Sequence, residues 1–147
     1  GWILLTVGGV SMKDRYLHKA KRADNGEWVH GYYAVIGGRE VIIKNQEEKY
    51  YAVDEGKNSR GNEIVLIRPA TLCQCTGLKS ENGNLIWEND IVTLPTEEDF
   101  FIICWDKDDA KFCIENNSIT ADFDNYWGWQ TEVIGNKFDN PELLEEA

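Results

Sequence analysis

Short apolar runs punctuated by turn dipeptides constrain this chain more than any other feature. Asn25-Gly26, Gly37-Gly38 and Asn82-Gly83 supply the positive-φ backbone that tight hairpin turns need. The runs around them are rich in Val, Ile, Tyr and Trp, which suits strands and leaves no room for long helices. Residues 27–36 read as a strand, Gly37-Gly38 as a two-residue turn and residues 40–43 as the partner strand. Further strands are expected at residues 50–53, 64–67, 71–76, 85–87, 91–94, 100–105, 111–115 and 131–134. The strands at 100–105 and 111–115 flank a four-residue tip at 107–110, a register that sets Cys104 opposite Cys113. Residues 119–125 read as a loop or a short helix. Asn140 fits an N-cap and Pro141 a first helical position, so residues 141–146 are expected to form a short helix.

Ten short strands with one or two short helices imply a mainly β fold, with α+β as the alternative. Two small β subdomains are expected, at residues 12–69 and 70–147. The Glu88-Asn89-Asp90 corner feeds the strand at 91–94, and an SH3-like barrel is the architecture expected of the C-terminal subdomain. Trp28, Leu85, Trp87, Ile91 and Val133 are expected to fill the core. A chain of 147 residues buries roughly 70% of its extended surface, enough for a core without disulfides or metals.

Charge is distributed unevenly. The net charge is −11, and residues 97–147 carry all of it, with fourteen acids and three bases. Residues 1–96 hold twelve of each. Within them Lys13, Arg15, Lys19, Lys21 and Arg22 face only Asp14, a basic head on an otherwise acidic chain. Bulk acidity works against generic phosphate-backbone binding, but a local basic face survives it.

Cys73, Cys75, Cys104 and Cys113 show no C-x-x-C spacing and no Cys/His pairing, so no zinc site is expected. They read as buried, reduced thiols of a cytoplasmic protein. Trp2 to Val10 is apolar but too short to span a bilayer, and no membrane partner is expected. Met12, the only methionine, reads as the natural start, with residues 1–11 as an upstream segment that adds a strand or packs in a partner's groove.

Three segments together resemble the YopX family of phages and prophages of Gram-positive bacteria. They are MKDRYL at 12–17 with DNGEWVHGYY at 24–33, TGLKSENGNLIWENDIV at 76–92, and EVIGNKFDNPELL at 132–144. The resemblance covers one domain, residues 12–147, and leaves 1–11 outside it. Asn89 stands where the family usually has Gly, and Asn tolerates a left-handed backbone nearly as well. The resemblance implies a phage or prophage origin and a largely β fold, and it brings no catalytic residues.

No phosphate-binding loop, nucleophile signature or cofactor motif occurs, so no enzyme, cofactor or metal site is expected. Asp106, Asp108 and Asp109 lack the Gly and distal Glu of a calcium loop and read as a solvated turn. His30 shares a strand with Trp28 and Tyr32 and reads as a surface or half-buried side chain. The leading expectation is a non-enzymatic accessory protein that makes protein–protein contacts, with itself as a homo-oligomer or with a host or phage protein. The alternative is a nucleic-acid-binding small β-barrel protein, and a third reading is an acidic nucleic-acid mimic that binds a host protein. The candidate contact residues are Lys13, Arg15, Lys19, Lys21, Arg22, Trp127 and Trp129. The two Trp rings either form a stacking platform or pack in a core or interface, and packing is favoured.

Overall fold

A computed structural model describes residues 12–44 and 63–145. The fold is mainly β, as its turn pattern requires, with its strands in antiparallel sheets. The expected strand at 50–53 and the upstream segment 1–11 lie outside the described residues. The chain divides into two compact units, one spanning Tyr16–Gln74 and the other holding Cys75–Ala147 with Gly1–Arg15.

The unit Tyr16–Gln74 is built on β1 (His18–Lys21), β2 (Trp28–Ile36), β3 (Arg39–Lys44) and β4 (Ile64–Leu66), in the order β4-β3-β2-β1. Gly37 and Gly38 have φ of 60° and 80°, the double left-handed turn that matches strand twist in a two-residue hairpin. The first residues of β5 (Cys73–Lys79) pair with β1. One face of this sheet packs inward through Ala20, Val29, Ile42, Val65 and Ile67, with Tyr33 and Leu72 against them. A bridge from Arg22 to Ile67 ties the end of β4 back to the end of β1, curling the sheet around that core. β1 falls in the basic stretch, where the lysines hide the strand pattern from sequence alone; Met12–Tyr16 before it is a 3-10 turn.

In the other unit, β5 continues and pairs with β6 (Leu85–Trp87). A five-stranded antiparallel sheet then follows: β7 (Asp90–Thr93), β8 (Phe101–Asp106), β9 (Lys111–Glu115), β10 (Thr120–Asp122) and β11 (Glu132–Asn136). Its order is β10-β9-β8-β7-β11. β10 and β11 remain its edges, so the sheet does not close into the expected SH3-like barrel. Ile86, Val92, Leu94, Phe101, Ile103, Ile114 and Phe123 form the core. Asn89 at the β6–β7 corner has φ of 76°, the left-handed geometry expected of it. The buried Asp90 carboxylate closes that corner by accepting from the Trp87 amide at 2.8 Å.

Several expectations need correction. Residues 119–125 hold a strand, β10, and then a short helix, α1 (Asn125–Gly128), capped by Asp124. The C-terminal segment forms only a 3-10 turn, Pro141–Leu144. Its bonds run from Leu143 to Asn140 and from Glu145 to Glu142, because so short a segment cannot repay the nucleation of an α-helix. Asn140 does not cap that turn; its side chain accepts from the Asn136 amide at 3.2 Å instead. Trp87 and Ile91 are buried as expected, while Leu85 and Val133 are partly buried. Trp28 is no core residue: strand alternation puts it on the outer face of its sheet, opposite Val29.

Candidate functional site

The outer face of the β4-β3-β2-β1 sheet gathers the chemistry. Along β2, side chains alternate, so Trp28, His30, Tyr32, Ala34 and Ile36 share the face away from the core. Register adds their cross-strand neighbours. Lys21 lies opposite Trp28 and Lys19 opposite His30. Further along, Tyr32 pairs with Ile43 and Ile43 with Ile64, while Ala34 pairs with Val41 and Val41 with Leu66. The face is therefore basic and aromatic at the end of β2 nearest Trp28 and mostly apolar at the other, where Arg39 stands opposite Ile36.

At the basic end, two ammonium groups converge on one indole. Lys19 Nζ lies 4.6 Å and Lys21 Nζ 5.4 Å from the centre of the Trp28 ring. The ring's negative π face holds both cations, which would otherwise repel each other. His30 reaches solvent, yet the protein around its imidazole strips enough water to lower its pKa below the usual 6.5, and Lys19 lowers it further. Next along the strand, Tyr32 is 38% exposed.

At the apolar end, Ile36, Ile64 and Leu66 are 48%, 57% and 43% exposed, with Val41 buried between Ala34 and Leu66. Contiguous apolar surface of this kind marks contact sites, whereas single exposed apolar residues carry no such message.

The remaining candidates behave differently. Arg22 alternates away from Lys19 and Lys21 and is held by Asp24 at 3.0 Å and Glu63 at 3.6 Å. Lys13 and Arg15 belong to the 3-10 turn Met12–Tyr16. Trp127 and Trp129 do not share a strand face, because they sit in and just after helix α1. Trp127 packs against the core while Trp129 is 52% exposed, so the two rings form no shared platform. Sequence reasoning missed the outer face because it placed Trp28 in the core. The alternation Trp28, His30, Tyr32 was the signal that could have found it.

In the C-terminal unit, a cavity of about 540 Å³ is lined by Phe100, Ile102 and Leu144 together with Glu98, Asp99 and Glu115. The acids of the hairpin tip work locally: the Asp106 carboxylate accepts from the amides of Asp108 and Asp109 at 3.0 and 3.2 Å. Lys111 and Asp122 form an ion pair at 2.8 Å. Among the described residues, no three His, Cys, Asp or Glu side chains converge as a metal-binding group. No described helix is long and apolar enough to cross a membrane. Cys104 and Cys113 do face each other, as free thiols. Burial, helped by Glu115 and Cys113, pushes the Cys104 thiol up to about 12.

The YopX protein family matches residues 20–145. The chain belongs to the YopX family. That match begins within β1, at Ala20, and runs through the C-terminal 3-10 turn, so it takes in the outer face of this YopX chain except Lys19. No curated protein matches it.

Proposed function

We propose that this YopX chain is a non-enzymatic interaction module that self-associates through the apolar end of the outer sheet face. In this reading it is an accessory protein of a phage or prophage and works in the cytoplasm of the bacterial host. One observation carries it: Ile36, Ile64 and Leu66 are all exposed and all on one face. The occupant is a second copy of the same patch. Residues 16–74 hold nine bases and eight acids, so two such units approach without the repulsion that the rest of the chain would exert. An apolar patch facing its own image buries twice its area under one two-fold axis, the commonest closed symmetry. Two of the described candidate groups are not set up for catalysis. Cys104 is held protonated, and the residue paired with His30 across β1 is a lysine, not an orienting carboxylate.

Sedimentation and light scattering across a concentration series test the reading. A concentration-dependent dimer that Ile64→Lys with Leu66→Glu converts to monomer supports it. A wild-type chain that stays monomeric at the highest concentrations overturns it.

A further inference from the structure

The basic end of the same face has a different chemistry from the apolar patch and calls for a different ligand. Two lysines of β1 stand opposite Trp28 and His30 of β2, and Tyr32 follows on the same face of β2. Trp28 is only part-buried and lies beneath both ammonium groups. It acts as a pedestal: the indole fixes where the two cations stand. Fixing two flexible lysines in advance lowers the ordering cost of binding an anion. Beside them His30 and Tyr32 follow at alternate positions of β2, about 6.7 Å apart along the strand. Both are exposed on the face that carries the lysines.

We propose that this face is a binding site for single-stranded polynucleotide, with phosphates on Lys19 and Lys21 and bases stacked on His30 and Tyr32. Sheet surfaces with aromatic side chains at alternate positions stack two or three unpaired bases, tolerantly of sequence. The lowered pKa of His30 keeps its ring neutral, which suits stacking. A duplex fits less well. Its bases are already stacked inside, so the two rings have nothing to meet. Its denser phosphates are also repelled more strongly by a chain of net charge −11. The site is separate from the proposed self-association patch in both residues and chemistry, so either stands without the other.

Fluorescence anisotropy of labelled oligo(dT), oligo(U) and a duplex of equal length, titrated with the full chain at low and physiological salt, tests the proposal. The expected result is micromolar or tighter binding of the single strands at low salt, with the duplex at least tenfold weaker. The two single strands separate a DNA ligand from an RNA ligand. Lys19→Glu with Lys21→Glu should weaken binding at least tenfold. Lys19→Gln with Lys21→Gln should flatten the slope of log affinity against log salt by roughly 1.4, the loss of two phosphate contacts. Tyr32→Ala should weaken binding roughly fivefold or more by removing one stacked base. Tyr32 is exposed, so this variant reports on the site even where charge reversal disturbs folding. No binding at low salt, equal binding of the duplex, or binding untouched by both the lysine and the tyrosine variants would each overturn the proposal. Ile64→Lys with Leu66→Glu, which should break the dimer, is expected to leave binding per chain within twofold.

Discussion

His30 stands opposite Lys19, and the two cannot both be charged without cost. The local loss of water and then Lys19 hold the folded pKa of His30 below 6.5. Between that lowered value and 6.5 the unfolded chain takes up a proton that the folded chain refuses, so stability falls as pH drops through this window. Well above 6.5 both states are neutral and the contribution vanishes. The His30→Gln variant should therefore gain in Tm relative to wild type as pH is lowered from about 7.5 to about 5; a difference constant across that range would refute the assignment. Cys104 offers a second reading of a single group. With its pKa near 12, its thiolate fraction at about pH 8 is on the order of a thousandfold below that of an ordinary cysteine. Iodoacetamide should leave Cys104 of the native chain unmodified while labelling it readily in urea, as read by peptide mass spectrometry. A native rate within tenfold of the unfolded one would contradict the part-buried, protonated thiol. The opposition of Cys104 and Cys113 was legible in advance because the tip at 107–110 fixes a register. The site around Trp28 was not: a large ring is normally buried, and only the pairing of β1 with β2 reveals two lysines above it.

Among the elements, β2 is a nine-residue strand in the interior of the N-terminal sheet, paired with both β1 and β3. Gly31 sits in its middle, opposite His18 on one side and Lys44 on the other. A Cβ there would stand 2.0 Å from the Ile43 carbonyl oxygen and 2.9 Å from Ile42 Cγ2. The first is backbone, which cannot swing aside, so the two strands must separate. Gly31→Ala is expected to cost about 2 kcal/mol or more, measured as a lower urea midpoint. Gly37→Asn is the contrast. Gly37 has open space around its Cβ position and φ of 60°, a region that Asn enters readily, so this variant should stay within about 0.5 kcal/mol. Equal losses at both positions would show that backbone crowding is not the reason for glycine at 31. The same contrast explains what was legible at this scale. Turn glycines declare themselves by the dipeptides they form, so the β2–β3 hairpin could be placed from sequence. A glycine required by close approach of a neighbouring strand looks like a flaw in a strand until the neighbour is known. β1 and β10 were missed for a related reason. Neither has a run of apolar residues, and each is a strand because a partner supplies its hydrogen bonds.

Across the whole molecule, charge follows the division into units. Residues 16–74 sum to +1 and the rest of the chain to −12. Such an imbalance favours solubility but strains the acidic unit by self-repulsion, and the tip carrying Asp106, Asp108 and Asp109 is one of the places where acids crowd in sequence. Salt offers the test. At about 10 mM the Debye length is roughly 30 Å and charges across a small unit feel one another; at about 150 mM it is roughly 8 Å and only near neighbours do. Raising salt between these limits should therefore raise Tm, by about 3 °C for each kcal/mol of repulsion relieved. Asp108→Asn with Asp109→Asn removes two of the charges and leaves Asp106, whose carboxylate accepts the tip amides. That variant should be more stable than wild type at low salt, and the gain should shrink as salt rises. A gain independent of salt would point to altered turn propensity in the hairpin. A loss at low salt would mean that the two carboxylates make favourable contacts that outweigh their mutual repulsion, and the acidic unit would then owe its charge to folding as well as to solubility.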